Sequence, residues 1–226
     1  MKWSILFLLF VFSLWQNCAY AKNERFTGLY FTIVNSGSGG SILGHTFLTF
    51  CPDQIKLDLS QCHAIEYNLD INLGEKFKKL INASFIEKIE MFSSAFFRVY
   101  EFDNAKEHTQ KYLDRDQSVE FYRYRGSSDE VQAIHGDIQT DMWDRDLKGY
   151  RDYDILDNNC VTKVVDVINT HSLKSIEKES DDLFDIENLV YRFPIFVKQR
   201  IRKSGMFDSM FYLSKNEWYS QKILFE

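Results

Sequence analysis

The sequence predicts an α+β fold in which an antiparallel sheet packs on a helix that opens with a cysteine. Three observations carry this. Between residues 27 and 125, short runs rich in β-branched and aromatic residues are separated by turn residues. After Asp157-Asn158-Asn159-Cys160, the residues Val161, Val164, Val165 and Ile168 fall at the i, i+3, i+4, i+7 spacing of a helix face packed on a core. The 226 residues include 20 Phe and 12 Tyr, ample material for one substantial core.

The chain opens with Lys2, an apolar run from Ile5 to Trp15 and the small-x-small triplet Ala19-Tyr20-Ala21. These predict a signal peptide over 1–21, cut after Ala21, and a periplasmic or secreted product. The apolar run is short for a membrane span. Without the leader, about 205 residues remain, with 26 basic against 33 acidic side chains. No basic stripe is present, so nucleic acid is not an expected partner. Residues 22–172 are read as the catalytic domain and 173–226 as a helical C-terminal appendage of the same domain.

Thr27–Val34 reads as the first strand. Asn35–Ser41 is a glycine-rich loop that lacks the Lys-Ser/Thr ending of a phosphate cradle, so it is expected to wall a cleft. Ser41, Gly44 and Tyr67 are the expected wall residues. In the second strand, Ile42–Phe50, residues His45, Phe47 and Thr49 share a face. The third strand, Ala64–Asp70, carries Glu66 and Asn68 on one face, where either can bond an imidazole on a neighbouring strand.

Helical spacing returns over Gly74–Phe97, with Phe77, Leu80, Ile81, Phe85 and Ile89 as its apolar stripe. The sequon Asn82-Ala83-Ser84 within it is read as a chance match. Phe96–Phe102 and Ser118–Arg125 read as strands. Ser127 and Glu130 have capping-box spacing and predict a helix over about 129–146, with Val131, Ile134, Ile138, Met142 and Trp143 inward. The tail is amphipathic over 186–203, interrupted at Pro194, and aromatic beyond. It is expected to pack on the core or to contact a partner.

Cysteine usage narrows the chemistry. The expected mature chain keeps Cys51, Cys62 and Cys160, an odd number in an oxidising compartment. A disulfide between Cys51 and Cys62 would leave Cys160 as a thiol, although the sequence does not fix the pairing. A free cysteine is often a small buried apolar residue. At a helix start, however, backbone N–H groups and the helix dipole favour the thiolate, the nucleophilic form. Asn159 and Asn158 are the helix-start residues expected to support it and a developing oxyanion.

His45 completes a Cys–His nucleophilic pair. Glu66 is the first choice for the residue orienting its ring, with Asn68 and His63 as alternatives. The five histidines form no ligand pair at zinc spacing, so neither a metal nor a cofactor is expected.

Gly44-His45-Thr46-Phe47-Leu48, Ile65-Glu66-Tyr67-Asn68 and Asp157-Asn158-Asn159-Cys160, in that order, resemble the Lnb N-terminal periplasmic domain family of Bacteroides lipoprotein N-acyltransferases. The likeness spans Gly28 to about Thr170, and Gly44-His45 and Asn159-Cys160 are its specific parts. It implies a permuted papain-like fold, with His45 as base and Cys160 as the sulfur that carries an acyl group. Glu66 stands where that family often has Asn. The implied substrate is an envelope lipid or a lipoprotein at the membrane surface. Because the chain is shorter than the full acyltransferase, acyl transfer and hydrolysis of an amide or ester both stay open. Cleavage of peptidoglycan or peptide amides is the alternative within the fold, and a non-catalytic envelope binding module is the alternative outside it.

Overall fold

Alternation of β-branched and aromatic residues over 28–34, 45–51, 63–69 and 119–124 gives strands with apolar side chains on both faces, and each face is covered. The structure, a computed structural model, describes residues 26–35, 44–69, 97–148, 159–176, 194–215 and 217–222. The expected signal peptide, Ser41, the helix expected over 74–97 as far as residue 96, with its sequon, and Asn158 lie outside the described residues, and Phe97 begins a strand.

The strands are β1 (Gly28–Val34), β2 (His45–Cys51), β3 (His63–Leu69), β4 (Phe97–Phe102), β5 (Val119–Tyr124), β6 (Phe207–Leu213) and β7 (Trp218–Lys222). They form one sheet in the order β4-β3-β2-β1-β5-β6-β7, with antiparallel neighbours throughout. The register sets Val34 opposite His45, Leu48 opposite Ile65, and Glu66 opposite Tyr100. The helices are α1 (Ala105–Leu113), α2 (Ser128–Lys148), α3 (Cys160–His171) and α4 (Pro194–Lys203).

Side-chain alternation divides the core in two. On one face, Phe31, Ile33, Leu48 and Ile65 pack with Ile134 and Ile138 of α2, Val164 and Ile168 of α3, and Val197 and Ile201 of α4. On the other, Tyr30, Val34, Phe47 and Ala64 pack with Ala105 and Leu113 of α1. Val164 and Ile168 are fully buried, and each such side chain contributes about 1.5–3 kcal/mol to holding α3 on the sheet. The capping box before α2 forms as expected: the Ser127 N–H donates to Glu130 Oε2 at 2.6 Å and the Glu130 N–H to Ser127 Oγ at 3.2 Å.

The tail corrects the expectation of a helical appendage. Its described residues hold one helix, α4, and then two strands that extend the sheet beyond β5. Pro194 opens α4 instead of breaking it, because proline is tolerated where the first N–H groups have no partner within the helix. Gly205, at φ 64°, turns the chain out of α4 into β6. Phe207 is then fully buried, and the Arg123 guanidinium forks onto Asp208 with two bonds of 2.7 Å. Among the described residues no helix is long and apolar enough to cross a membrane.

Candidate active site

The site lies where β2 begins and α3 begins. Gly44 adopts φ 80°, a left-handed conformation that strains any residue with a side chain. It turns the chain so that His45 becomes the first residue of β2. Asn159 starts α3: its Oδ1 accepts the N–H groups of Val161 at 2.8 Å and Thr162 at 3.1 Å, and Thr162 Oγ1 accepts the Asn159 N–H at 2.9 Å. This reciprocal cap fixes Cys160 in the first turn. Asn159 is itself buried, so the helix start is held from within the core.

Alternation places the His45 side chain on the α1 face, whereas Cys160 packs against the core on the opposite face. They meet where β2 begins, close enough that the His45 ring and the Cys160 sulfur shift each other's protonation. His45 Nε2–H donates to Glu66 Oε2 at 3.1 Å, which leaves Nδ1 as the ring nitrogen available to sulfur.

Burial alone would push the His45 ring down. The Cys160 thiolate and then Glu66 outweigh it and hold the ring at about 10. Burial alone would likewise raise the Cys160 thiol, but the charge of the His45 ring, helped by the backbone of Thr46, brings it below its ordinary value. Both directions favour the imidazolium–thiolate form of one coupled pair.

Glu66 is the hub of this arrangement. It is 4% exposed. Its Oε2 accepts from His45 and His108, each at 3.1 Å, and from the Tyr112 hydroxyl at 3.0 Å, while Oε1 accepts from Asn68 Nδ2 at 3.1 Å. Burial would raise this carboxyl, but the bonds from His108 and His45 keep it well below the ordinary carboxylate range. Burial and the Glu66 charge push the Tyr112 hydroxyl far above the usual phenol range, so it stays a donor.

Of the expected residues, the structure brings Cys160, His45 and Glu66 together and adds Asn159 and Gly44. Asn68 contacts Glu66 rather than the imidazole. His63 is elsewhere, with Nδ1 on Glu101 at 3.1 Å. Tyr67 does not wall a cleft: it is 1% exposed within the core under α2 and α3, because its position on β3 faces those helices. Cys51 and Cys62 are joined by a disulfide across 11 residues, and Cys160 is free. Sequence reasoning missed α1 and with it His108 and Tyr112. Their signal was present as Asn104 three residues before Glu107, a cap that accepts the N–H groups of Lys106 and Glu107.

The family model for the Lnb N-terminal periplasmic domain matches residues 13–192, well over half of the chain. The chain belongs to this family. Comparison with curated proteins and with solved structures gives no significant match. Membership bears out the resemblance read from the His45, Glu66 and Cys160 segments. It agrees with a periplasmic location and an envelope-related role. His45, Glu66, Asn159 and Cys160 all fall within the span matched to the Lnb domain.

Proposed function

We propose that the chain is an exported thiol enzyme that moves acyl groups at the cell envelope, built on a permuted papain-like arrangement in which the histidine strand precedes the cysteine helix. The observation that carries the reading is the line Glu66–His45–Cys160, in which a buried carboxylate holds one ring nitrogen and leaves the other to sulfur. That is the order of parts nucleophilic thiol catalysis needs.

In this reading His45 Nδ1 holds the proton of Cys160, and the thiolate attacks the acyl carbon of an ester or amide. The N–H of Cys160, at the positive end of α3, stabilises the oxyanion. Collapse breaks the bond to the leaving group, His45 returns the proton to it, and a thioester stays on Cys160. An acceptor amine or water then loses a proton to His45 and attacks the thioester, which restores the thiolate–imidazolium pair. Glu66 keeps the ring in the tautomer with hydrogen on Nε2 throughout. The substrate is an envelope lipid or a lipoprotein, and the leader is removed after Ala21.

Alkylation of Cys160 by iodoacetamide between pH 4 and 9 tests the nucleophile. The expected result is reaction at pH 6 well above that of a free thiol, lost in His45→Ala. Mass spectrometry after incubation with envelope lipids is expected to show an acyl adduct on Cys160. Ordinary free-thiol behaviour that is insensitive to His45 would overturn the reading.

A further inference from the structure

Resting on that reading, we propose that His108 is a positioning residue of the same site, which holds the Glu66 carboxylate in the orientation that accepts the Nε2–H of His45. The His108 Nε2 lies 3.1 Å from Glu66 Oε2, the same oxygen that His45 uses.

Two observations separate this from core packing. His108 is 4% exposed among aromatic rings, stacked on Phe102 at 4.0 Å and edge-on to Phe47 at 5.0 Å. Its Nδ1 is buried with no hydrogen-bond partner among the described residues. A phenyl ring would fill this place without burying an unsatisfied nitrogen. What the imidazole adds is the single bond to Glu66. The geometry of that bond also fixes the His108 tautomer, because a carboxylate only accepts and Nε2 must therefore carry the hydrogen.

Three donors on one oxygen make Glu66 a fixed acceptor rather than a swinging one. The carboxylate is held from α1 by His108 and Tyr112, from β2 by His45 and from β3 by Asn68. From β4, Tyr100 stands opposite Glu66 and Arg98 opposite Asn68, and from α3 the Cys160 sulfur lies beyond His45. Losing the His108 bond lets the buried carboxyl take up a proton at higher pH. A neutral Glu66 no longer supports the imidazolium, and the thiolate recovers its proton sooner as pH falls.

The test is the pH–rate profile for iodoacetamide alkylation of Cys160 in the full chain, compared for wild type, His108→Phe, His108→Gln and Tyr112→Phe. Phenylalanine keeps the stacking on Phe102 without the donor, whereas glutamine offers an amide N–H in its place. The acid limb is expected to move up by about one pH unit in His108→Phe, and in the same direction in Tyr112→Phe. It should stay near wild type in His108→Gln. Superimposed profiles for wild type and His108→Phe, or a move to lower pH, overturn the assignment while leaving the thiol-enzyme reading intact. If His108→Phe does not fold, His108→Leu, which also lacks the donor, decides on the same criteria. A wild-type Cys160 that alkylates like a free thiol overturns both readings.

Discussion

Two carboxylates on neighbouring strands each gather a pair of histidines, from opposite faces of the sheet. Glu66 on β3 binds His45 and His108 on the α1 face. Glu101 on β4 faces the other way, with His63 at 3.1 Å, His135 at 3.8 Å and Gln139 at 2.7 Å. The chemistry of the two clusters is nearly the same, but their position in the fold is not. His45 begins a strand beside the first turn of α3. His63 follows the disulfide residue Cys62, and Phe26 lies between the rings of His63 and His135, 4.9 Å from each. A histidine–carboxylate pair thus becomes a candidate base only where the fold also delivers a nucleophile; elsewhere it is a polar clasp between a helix and the sheet.

Substitutions can break or sharpen this contrast. The largest effect is expected from Cys160→Ala, which should lower thiol labelling and acyl-adduct formation by about 10³-fold or more, to background, in a folded chain. Next come His45→Asn and Glu66→Gln, each expected to cost about 10²-fold in alkylation rate at pH 6. Glu101→Gln should leave that rate unchanged. If Glu101→Gln slows the thiol as much as Glu66→Gln, the contrast fails. Turnover should also fall as pH rises through about 10, where His45 gives up the proton it returns to the leaving group.

The two remaining effects concern stability. Replacing both Cys51 and Cys62 by alanine removes a link across 11 residues and should cost about 2–4 kcal/mol in urea unfolding. It should spare Cys160 alkylation, because the bridge lies about 13 Å along β3 from Glu66. The smallest effect is that of Glu101→Gln, about 1 kcal/mol. The Glu101 carboxyl is held at about 2, chiefly by the His135 ring 3.8 Å away, against the opposing effect of burial and with help from the hydrogen bonds of His63 and Gln139. A carboxyl depressed in the folded state contributes stability above its unfolded value and loses it as pH falls. Thermal unfolding of wild type and Glu101→Gln should therefore differ at pH 6 and converge as pH falls towards 2.

Much of the site was legible because it rests on local rules. Asn159 before an apolar stripe marks a helix start, and strand alternation puts His45, Phe47 and Glu66 on linked faces. What escaped was non-local or weakly patterned. In α1 the buried residues are Ala105, His108, Thr109 and Leu113, so most of its inward face is small or polar and leaves no apolar stripe. In β6 both Phe207 and Met210 are buried, so the period of two that marks a half-exposed strand is blurred. Which strand it pairs with depends on β5, more than eighty residues earlier in the chain.

The pairing of β6 with β5 has a practical meaning for anyone who would shorten the molecule. The family match stops at residue 192, but Phe207, Met210 and the partner of Arg123 come later. A polypeptide cut there would bare the backbone of β5 and uncover Phe31, which Phe207 meets edge-on at 6.2 Å. Unpaired strand borders of this kind recruit other chains. Such a fragment would be expected to precipitate or dimerise through β5, whereas one carried through residue 222 would not.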